Sequence, residues 1–442
     1  MIILGIETSC DETALALIET KFENGFLECR VISSLVHSQA ELHSAYGGVF
    51  PTLAKREHGK NLPILLDKLL EDSGLQLKKS ETETIGNDNP ISKNIITAKK
   101  DDKEIKQLFS IEAEITKSNP DLFESLKKAK FLKYIPTIDR LAVTAGPGLE
   151  PALWVGINFA KYLGALWSIP TIPVNHMEGH IIGSLLENDK PFGAWQRLKN
   201  LKFPALALLI SGGHTELVRI ESQSATNKTP EQNGPNNFSY TIIGQTRDDA
   251  VGEAFDKVAR LLGLPYPGGP HVSILADQAR CRGTLSPKPQ GASPVSTVKL
   301  PRPMLHSADL DFSFSGLKTA VLYATRDRLS AMGKLDDEYK ESLALEFEEA
   351  VSEVLVTKLR RAIEQVGAKS LIIGGGVSAN RTLRERFKKT AIDYGLDLHL
   401  PTHHISGDNA LMIALAGAIH TENINGDLEI KAKGTQRLGK AK

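Results

Sequence analysis

The amino-acid sequence predicts an α/β protein built from two lobes of related design with a ligand held between them. Two observations carry that expectation. A strand that reads as buried, a tight polar turn and a returning strand occur twice, first as "MIILGI", "ETSCDET" and "ALALIE", later as "PALALLI", "SGGHTE" and "LVRI". Further along, "KSLIIGGGVSANRTLRERF", 369–387, reads as a strand, a glycine-rich turn and the start of a helix. The chain of 442 residues, 41% of them hydrophobic, is long enough for two or three domains with substantial cores.

The first hairpin stands at the start of the sequence, and no secretory signal is expected. No apolar run is long enough to span a bilayer, so a cytoplasmic protein without a membrane partner is expected. Lys plus Arg and Asp plus Glu both count 53. Net charge therefore gives no sign of a nucleic-acid partner, although a neutral total can hide a basic face. Three cysteines, Cys10, Cys29 and Cys281, form no CxxC pair, which favours a reducing compartment. Turns like those of the two hairpins offer N–H groups and hydroxyls to a phosphate, though most such turns only reverse the chain.

Between the hairpins, residues 76–135 are expected to form a polar insertion. Its first part, "KKSETETIGNDNPISKNIITAKKDDKEIKQ", suits a solvated loop, and "FSIEAEITKSNPDLFESLKKAKFLKYI" suits helices. A second polar loop is expected at 282–298, and both stretches are expected to add length without function. The segment 329–367 has helical periodicity and is expected to pack on the second lobe. The expected division is 1–203 as the first lobe, completed by 405–430, then 204–404 as the second lobe and 431–442 as a basic tail.

Four segments carry candidate chemistry. In "VNHMEGHIIG", His176 and His180 stand about 40° apart on a helix, so both rings reach toward one ion. Glu178 lies about 200° round from His176 and faces away, unlike the glutamate of an H-E-x-x-H protease. Ordinary helix contacts are an equal alternative for the two histidines. Asp408 precedes an apolar helix and reads first as an N-cap, second as the carboxylate of a two-histidine, one-carboxylate site. His214, His403 and His404 are rival ligands. In "DDAVGEAFDKVARLLGLPYPGGP", an amphipathic helix precedes a Pro-Gly-Gly turn; Asp256 is a candidate for ribose hydroxyls and Gly269 leaves room for a ligand. An exposed aspartate beside an ordinary turn is the simpler alternative. Asn380 is a candidate for a nucleotide contact or a helix cap.

The motifs "GIETSCDETALAL", "TAGPGLEPALWVG", "NHMEGH", "LLISGGHTEL", "GEAFDKVARLLGLPYPGGP", "DFSFSGLKTAV", "GGGVSANRTLR" and "GDNALMIALAG" occur in the order found in the TsaD family of tRNA N6-adenosine threonylcarbamoyltransferases, which the chain resembles over nearly its whole length. The resemblance implies an actin-like (ribonuclease H-like, duplicated) fold with mixed sheets flanked by helices. It also implies transfer of threonylcarbamoyl from threonylcarbamoyl-adenylate to N6 of adenosine 37, in tRNAs reading codons that begin with A. By position, His176, His180 and Asp408 resemble the ligands of a divalent metal, iron ahead of zinc. Ile210, Ser211, Gly212, Gly213 and His214 resemble the loop that holds the threonylcarbamoyl-adenylate, and Asp256, Gly269 and Asn380 resemble its adenylate contacts. Asp11 and Glu12 sit where the family has acidic residues near the reacting groups. The implied partners are tRNA, a paralogous actin-like protein and a small ATPase. The alternatives are a metallopeptidase of glycoproteins, the family's older label, and an actin-like ATP-binding scaffold without transfer chemistry. Glu150, Pro151 and the tail's ending depart from the family pattern.

Overall fold

The computed structural model describes residues 1–23, 25–75, 77–79, 100, 102–187, 190–222, 238–285, 298–420 and 430–441. Most of the polar stretch 80–101 and of the loop 282–298 lies outside the described residues. In the first half, β1 (Ile2–Glu7), β2 (Glu12–Glu23) and β3 (Phe26–Ser38) form an antiparallel meander. A separate ribbon pairs β4 (Leu77–Lys79) with β5 (Tyr134–Pro136). β6 (Arg140–Gly146) lies parallel to β1, β7 (Thr171–Asn175) lies parallel to β6, and β8 (Trp195–Arg197) pairs with β3, giving the order β7-β6-β1-β2-β3-β8.

The second half repeats this arrangement. β9 (Ala205–Ile210), β10 (Thr215–Ser222) and β11 (Phe238–Gln245) form the meander, and β12 (Ser370–Gly374) and β13 (Asp397–His399) add in parallel beside β9. β14 (Lys440–Ala441) joins the far edge, giving β13-β12-β9-β10-β11-β14. Two mixed sheets of the same strand order, each flanked by helices, are the duplicated actin-like fold that the paired hairpins and the family resemblance imply.

The strands read as unbroken apolar runs because both of their faces are covered. On β1, Leu4 and Ile6 point to one core while Ile3 points to another. The first core lies under α2 (Pro51–Ser73) and α5 (Glu150–Trp167), with α1 (Ala40–Ser44) just ahead of α2. Pro151 falls in the first turn of α5, where a missing N–H costs no helical bond. Residues α3 (Asp102–Ser118) and α4 (Pro120–Leu126), grouped in the sequence with a polar insertion, are in fact structural: Leu108, Ile115, Leu122 and Leu126 are fully or almost fully buried in this core.

Helix α6 (His176–Gly183) follows β7. In the second half, α7 (Val251–Leu261), α8 (Gly268–Leu285), α9 (Ser315–Met332), α10 (Asp337–Val366) and α11 (Arg381–Tyr394) cover the outer face of the sheet or its ends. The continuous periodicity of 329–367 breaks where Gly333, at φ 70°, ends α9 and the Asp336 side chain caps α10. The Pro-Gly-Gly segment, read in the sequence as a turn, opens α8 instead. Two short elements follow, α12 (His403–Ser406) and the wholly buried α13 (Ala410–Ile419).

α13 and α6 pack on each other in the layer shared by the two sheets. Their side chains form one core with Ile3, Ala14 and Ala142 of the first sheet and Ala207, Leu209 and Ile372 of the second. The backbone of α13 comes so close to β1 that a Cβ at Gly5 would stand 2.3 Å from the Ala410 carbonyl oxygen. The final segment runs from one half to the other. Lys433 N–H donates to the Ala145 carbonyl, Gly148 N–H donates to that of Gly434, Leu438 is buried and β14 extends the second sheet.

Candidate active site

The Asn175 side chain caps α6 by accepting the N–H groups of Met177 at 2.9 Å and Glu178 at 3.3 Å. One helical turn then sets the two histidine rings edge to face, with centroids 4.7 Å apart and planes at 82°. Nε2 of His176 lies 3.3 Å, and Nε2 of His180 3.2 Å, from the same Oδ1 of Asp408. Among the described residues these three side chains form a group whose ligand atoms all lie within 4.8 Å of one another. Asp408 is not the N-cap its position suggests: Oδ1 of its neighbour Asn409 accepts the Met412 N–H at 3.0 Å and leaves the aspartate free to turn to the histidines.

Behind His176 stands a residue the sequence did not single out. Glu7, fully buried at the end of β1, places Oε2 3.0 Å from His176 Nδ1. The same oxygen accepts the Thr144 hydroxyl at 2.6 Å, while Oε1 accepts the Ser9 N–H. A carboxylate on Nδ1 leaves Nε2 as the coordinating nitrogen and fixes the ring. The available signal was a glutamate closing an otherwise apolar strand.

The charges fit this arrangement. Burial works to lower the His176 pKa, but the carboxylates of Asp408 and Glu7 outweigh it and hold the ring well above the ordinary histidine range. Burial works to raise Asp408, but the two histidines outweigh it and hold its carboxyl well below the usual range. Burial lowers His180, whose buried Nε2 makes no hydrogen bond. Two imidazole nitrogens facing one carboxylate oxygen, with the His180 nitrogen not aligned for a hydrogen bond, fit a divalent cation.

The other candidates fall in two groups. His214 is near enough to feel both histidines, and burial, then their charge, pushes it down to about 4, but it is not in the ligand group. His403 and His404 are exposed on α12 and are also outside it. Glu178 turns to the opposite side of α6: Tyr240 donates its hydroxyl to Oε1 at 2.9 Å, and His420 Nε2 lies 2.8 Å from Oε2. It is engaged away from the histidines, so the metallopeptidase reading is not favoured.

The second hairpin places Ile210 at the end of β9 and Ser211, Gly212, Gly213 and His214 in its turn. Ser211 closes the turn: its N–H donates to the His214 carbonyl at 2.9 Å and its Oγ accepts the His214 N–H at 3.1 Å. Gly252 packs so tightly beneath that a Cβ there would stand 2.6 Å from the Ser211 carbonyl oxygen. A Cβ at Gly212, Gly213 or Gly376 would meet nothing within 4 Å, and at Gly269 only Phe255 Cβ, 3.9 Å away. These glycines face open space.

Asp256 accepts the Gly268 N–H at 2.7 Å, and burial raises its pKa. Asn380 caps α11 through the Leu383 N–H at 2.9 Å, and its amide nitrogen donates to Ser273 Oγ at 2.8 Å and Glu348 Oε1 at 2.6 Å. The cap reading therefore holds for Asn380, and both ends of its amide are engaged. Asp11 lies buried in the first hairpin turn, with the Tyr266 hydroxyl 3.5 Å from Oδ2 across the cleft. Glu12 begins β2; burial, then the charge of Asp11, raises its pKa well above the carboxylate range.

The chain is 38% identical over 423 residues to a tRNA N6-adenosine threonylcarbamoyltransferase of Methylobacillus flagellatus, with 96% of this chain and 94% of that one covered. It is also 38% identical over 441 residues to the protein of that name from Burkholderia ambifaria, covering 98% and 97%. A solved structure, component A of (R)-2-hydroxyglutaryl-CoA dehydratase from Acidaminococcus fermentans, is similar at a TM-score of 0.36 and 11% identity over 95% of this chain and 97% of that one, which is too distant to bear on function. The model of the TsaD family, tRNA N6-adenosine threonylcarbamoyltransferase, matches residues 30–83 and 120–415. With two histidines and an aspartate gathered beside turns of open glycines, and with that match over most of its length, the chain belongs to the TsaD family.

Proposed function

We propose that this protein transfers the threonylcarbamoyl group from threonylcarbamoyl-adenylate to the N6 amine of a tRNA adenosine. The observation that carries the reading is the convergence of His176 Nε2, His180 Nε2 and Asp408 Oδ1 in a protein whose Gly212, Gly213, Gly269 and Gly376 face open space. In the transfer, the amine's lone pair forms a bond to the carbamoyl carbon. The bond from that carbon to the phosphate oxygen breaks, AMP leaves with the electron pair, and the amine gives up a proton. The three ligands would hold a divalent ion, by their chemistry iron before zinc, which when bound supplies Lewis-acid polarisation of the carbamoyl oxygen.

The chain's own groups do the positioning. Glu7 holds His176 in the tautomer that presents Nε2. The bare backbone at Gly212 and Gly213 lets the adenylate approach closely, with N–H groups as donors to charge on the leaving group. Asp256 and Gly269 take the adenylate from the α8 side, and Asn380 shapes the neighbouring wall as a cap. Asp11 and Glu12, at the first hairpin turn, are the candidate acceptors for the amine's proton. As in related bacterial systems, the substrate is supplied by another enzyme, and a paralogous actin-like protein and a small ATPase work beside this chain in the cytoplasm. Among the described residues no helix is long and apolar enough to cross a membrane.

The test is transfer and metal content together. Purified protein with its partners, threonylcarbamoyl-adenylate and tRNA should yield modified tRNA, and His176→Ala and Asp408→Ala should lose both the bound ion and the product. Full ion content in both variants would remove the site; unmodified tRNA with wild-type protein would remove the activity.

A further inference from the structure

Beside the cleft, on the first half of the molecule, two aromatic side chains stand in solvent. Tyr46 is 63% exposed and Phe50 49% exposed, and their rings stack with centroids 5.5 Å apart and planes at 17°. Stacked on each other and open to solvent, the two rings present one joint aromatic face. They form one wall of a cavity of about 310 Å³ whose other walls include Leu53, Lys55, Arg56 and Leu122.

The pair is tied to the reacting end of the cleft. Gln39 N–H donates to the Asp11 carbonyl at 3.0 Å, Gln39 Oε1 lies 3.3 Å from His43 Nε2, and His43 Nδ1 accepts the Phe50 N–H at 3.2 Å. The loop between the two rings reaches the other half of the molecule. A Cβ at Gly47, where φ is 66°, would stand 2.9 Å from the guanidinium of Arg260, one turn along α7 from Asp256. Three cations thus flank the rings, Lys55 and Arg56 on the cavity side and Arg260 on the cleft side. Among the described residues Lys55 makes no ion pair, while Arg56 has one with Glu57 at 3.4 Å. Asp121 is the acidic residue of the cavity's far wall.

We propose that the Tyr46–Phe50 pair is a stacking platform for an unpaired base of the tRNA anticodon loop, next to the adenosine that reacts, with Lys55 and Arg56 meeting the flanking phosphates. Planar rings with neighbouring cations are the surface by which single-stranded nucleic acid is held, since every base offers a π-face and every link a phosphate. The position supplies the reason: an adenosine that reaches into the cleft past Asp11 must be pulled out of the loop's stack, and its neighbour then needs a new surface to stack on. The proposal rests on the transferase reading.

The test measures binding of unmodified tRNA by the full chain. Tyr46→Ala and Phe50→Ala should each weaken it about tenfold or more, with melting temperature and metal content kept, while Phe50→Trp should bind as the wild type does and lose tryptophan emission on adding tRNA. A tRNA with an abasic nucleotide beside the target adenosine should bind the wild type more weakly by a similar factor, with little further loss against Phe50→Ala. If both alanine variants bind tRNA within twofold of the wild type, the proposal fails; if they do so while losing a protein complex, the surface belongs to a protein partner and the proposal fails equally. A wild-type protein that binds no tRNA even with its partners present would bring down the transferase reading as well.

Discussion

Glu7 shows how much of this site rests on a side chain that would never touch substrate. It joins Thr144, Ser9 and His176 around one buried carboxylate, and so ties the end of β1, the neighbouring strand β6 and helix α6 together. Glu7→Gln keeps the shape but weakens the acceptor. We expect it to reduce metal affinity about 10- to 100-fold, measured by competition with a chelator, while the protein remains folded. His58 offers a second prediction. Its Nδ1 lies 2.8 Å from Thr13 Oγ1 and its Nε2 3.0 Å from the Cys10 carbonyl, and burial lowers its pKa to about 4. With the folded value below the unfolded one, the unfolded chain binds more protons between about pH 6.5 and 4. The contribution to stability is complete above that window and is lost as pH falls through it, by up to about 3 kcal/mol. Urea midpoints at pH 7.5 and 5 should fall further apart in the wild type than in His58→Gln. Neither residue could be assigned from sequence. Apart from Ser9, the partners of Glu7 and His58 lie tens to more than a hundred positions away, whereas His176 and His180 were legible because a helix brings neighbours four apart together without any tertiary information. Asp408 was ambiguous for the same reason, since only the fold decides whether it or Asn409 takes the cap.

Among the elements, the turns separate glycines needed by the fold from glycines that leave room. Gly252, under the second hairpin, has no space for a methyl group, whereas Gly212 a few ångströms above has nothing within 4 Å. Gly252→Ala should cost about 1–3 kcal/mol in denaturant titrations, because Ser211 and Gly212 must give way. Gly212→Ala should leave stability within about 0.5 kcal/mol and instead weaken adenylate binding about tenfold or more, read by calorimetry. A destabilised Gly212→Ala with normal binding would reverse these roles. Strand-turn-strand units were legible here because they bury both faces and so read as apolar runs ending in polar residues. The helices at 102–126 were harder. Their four core leucines and isoleucines, Leu108, Ile115, Leu122 and Leu126, are spaced among lysines and glutamates, and only the groove beside α2 and α5 shows that they are covered.

For the molecule as a whole, the two sheets do not have separate cores. α6 and α13 fill one layer between them, and the last described residues run from the Ala145 loop to the edge of the second sheet. A chain ending at residue 429 loses the buried Ile430 and Leu438 along with the β11–β14 pairing. It should lose about 3 kcal/mol or more in urea unfolding and remain a single transition, since the shared layer couples the halves. Two separate transitions would show that the halves are held together mainly by that segment. The same layering bears on synthesis. A strand at residues 2–7 waits for a cover at 410–419, so while the ribosome works the early half carries an uncapped greasy face that chaperones have to shield. Of the candidate metal ligands, His176 and His180 are likewise synthesised long before Asp408, so the three side chains meet only after that late segment has emerged.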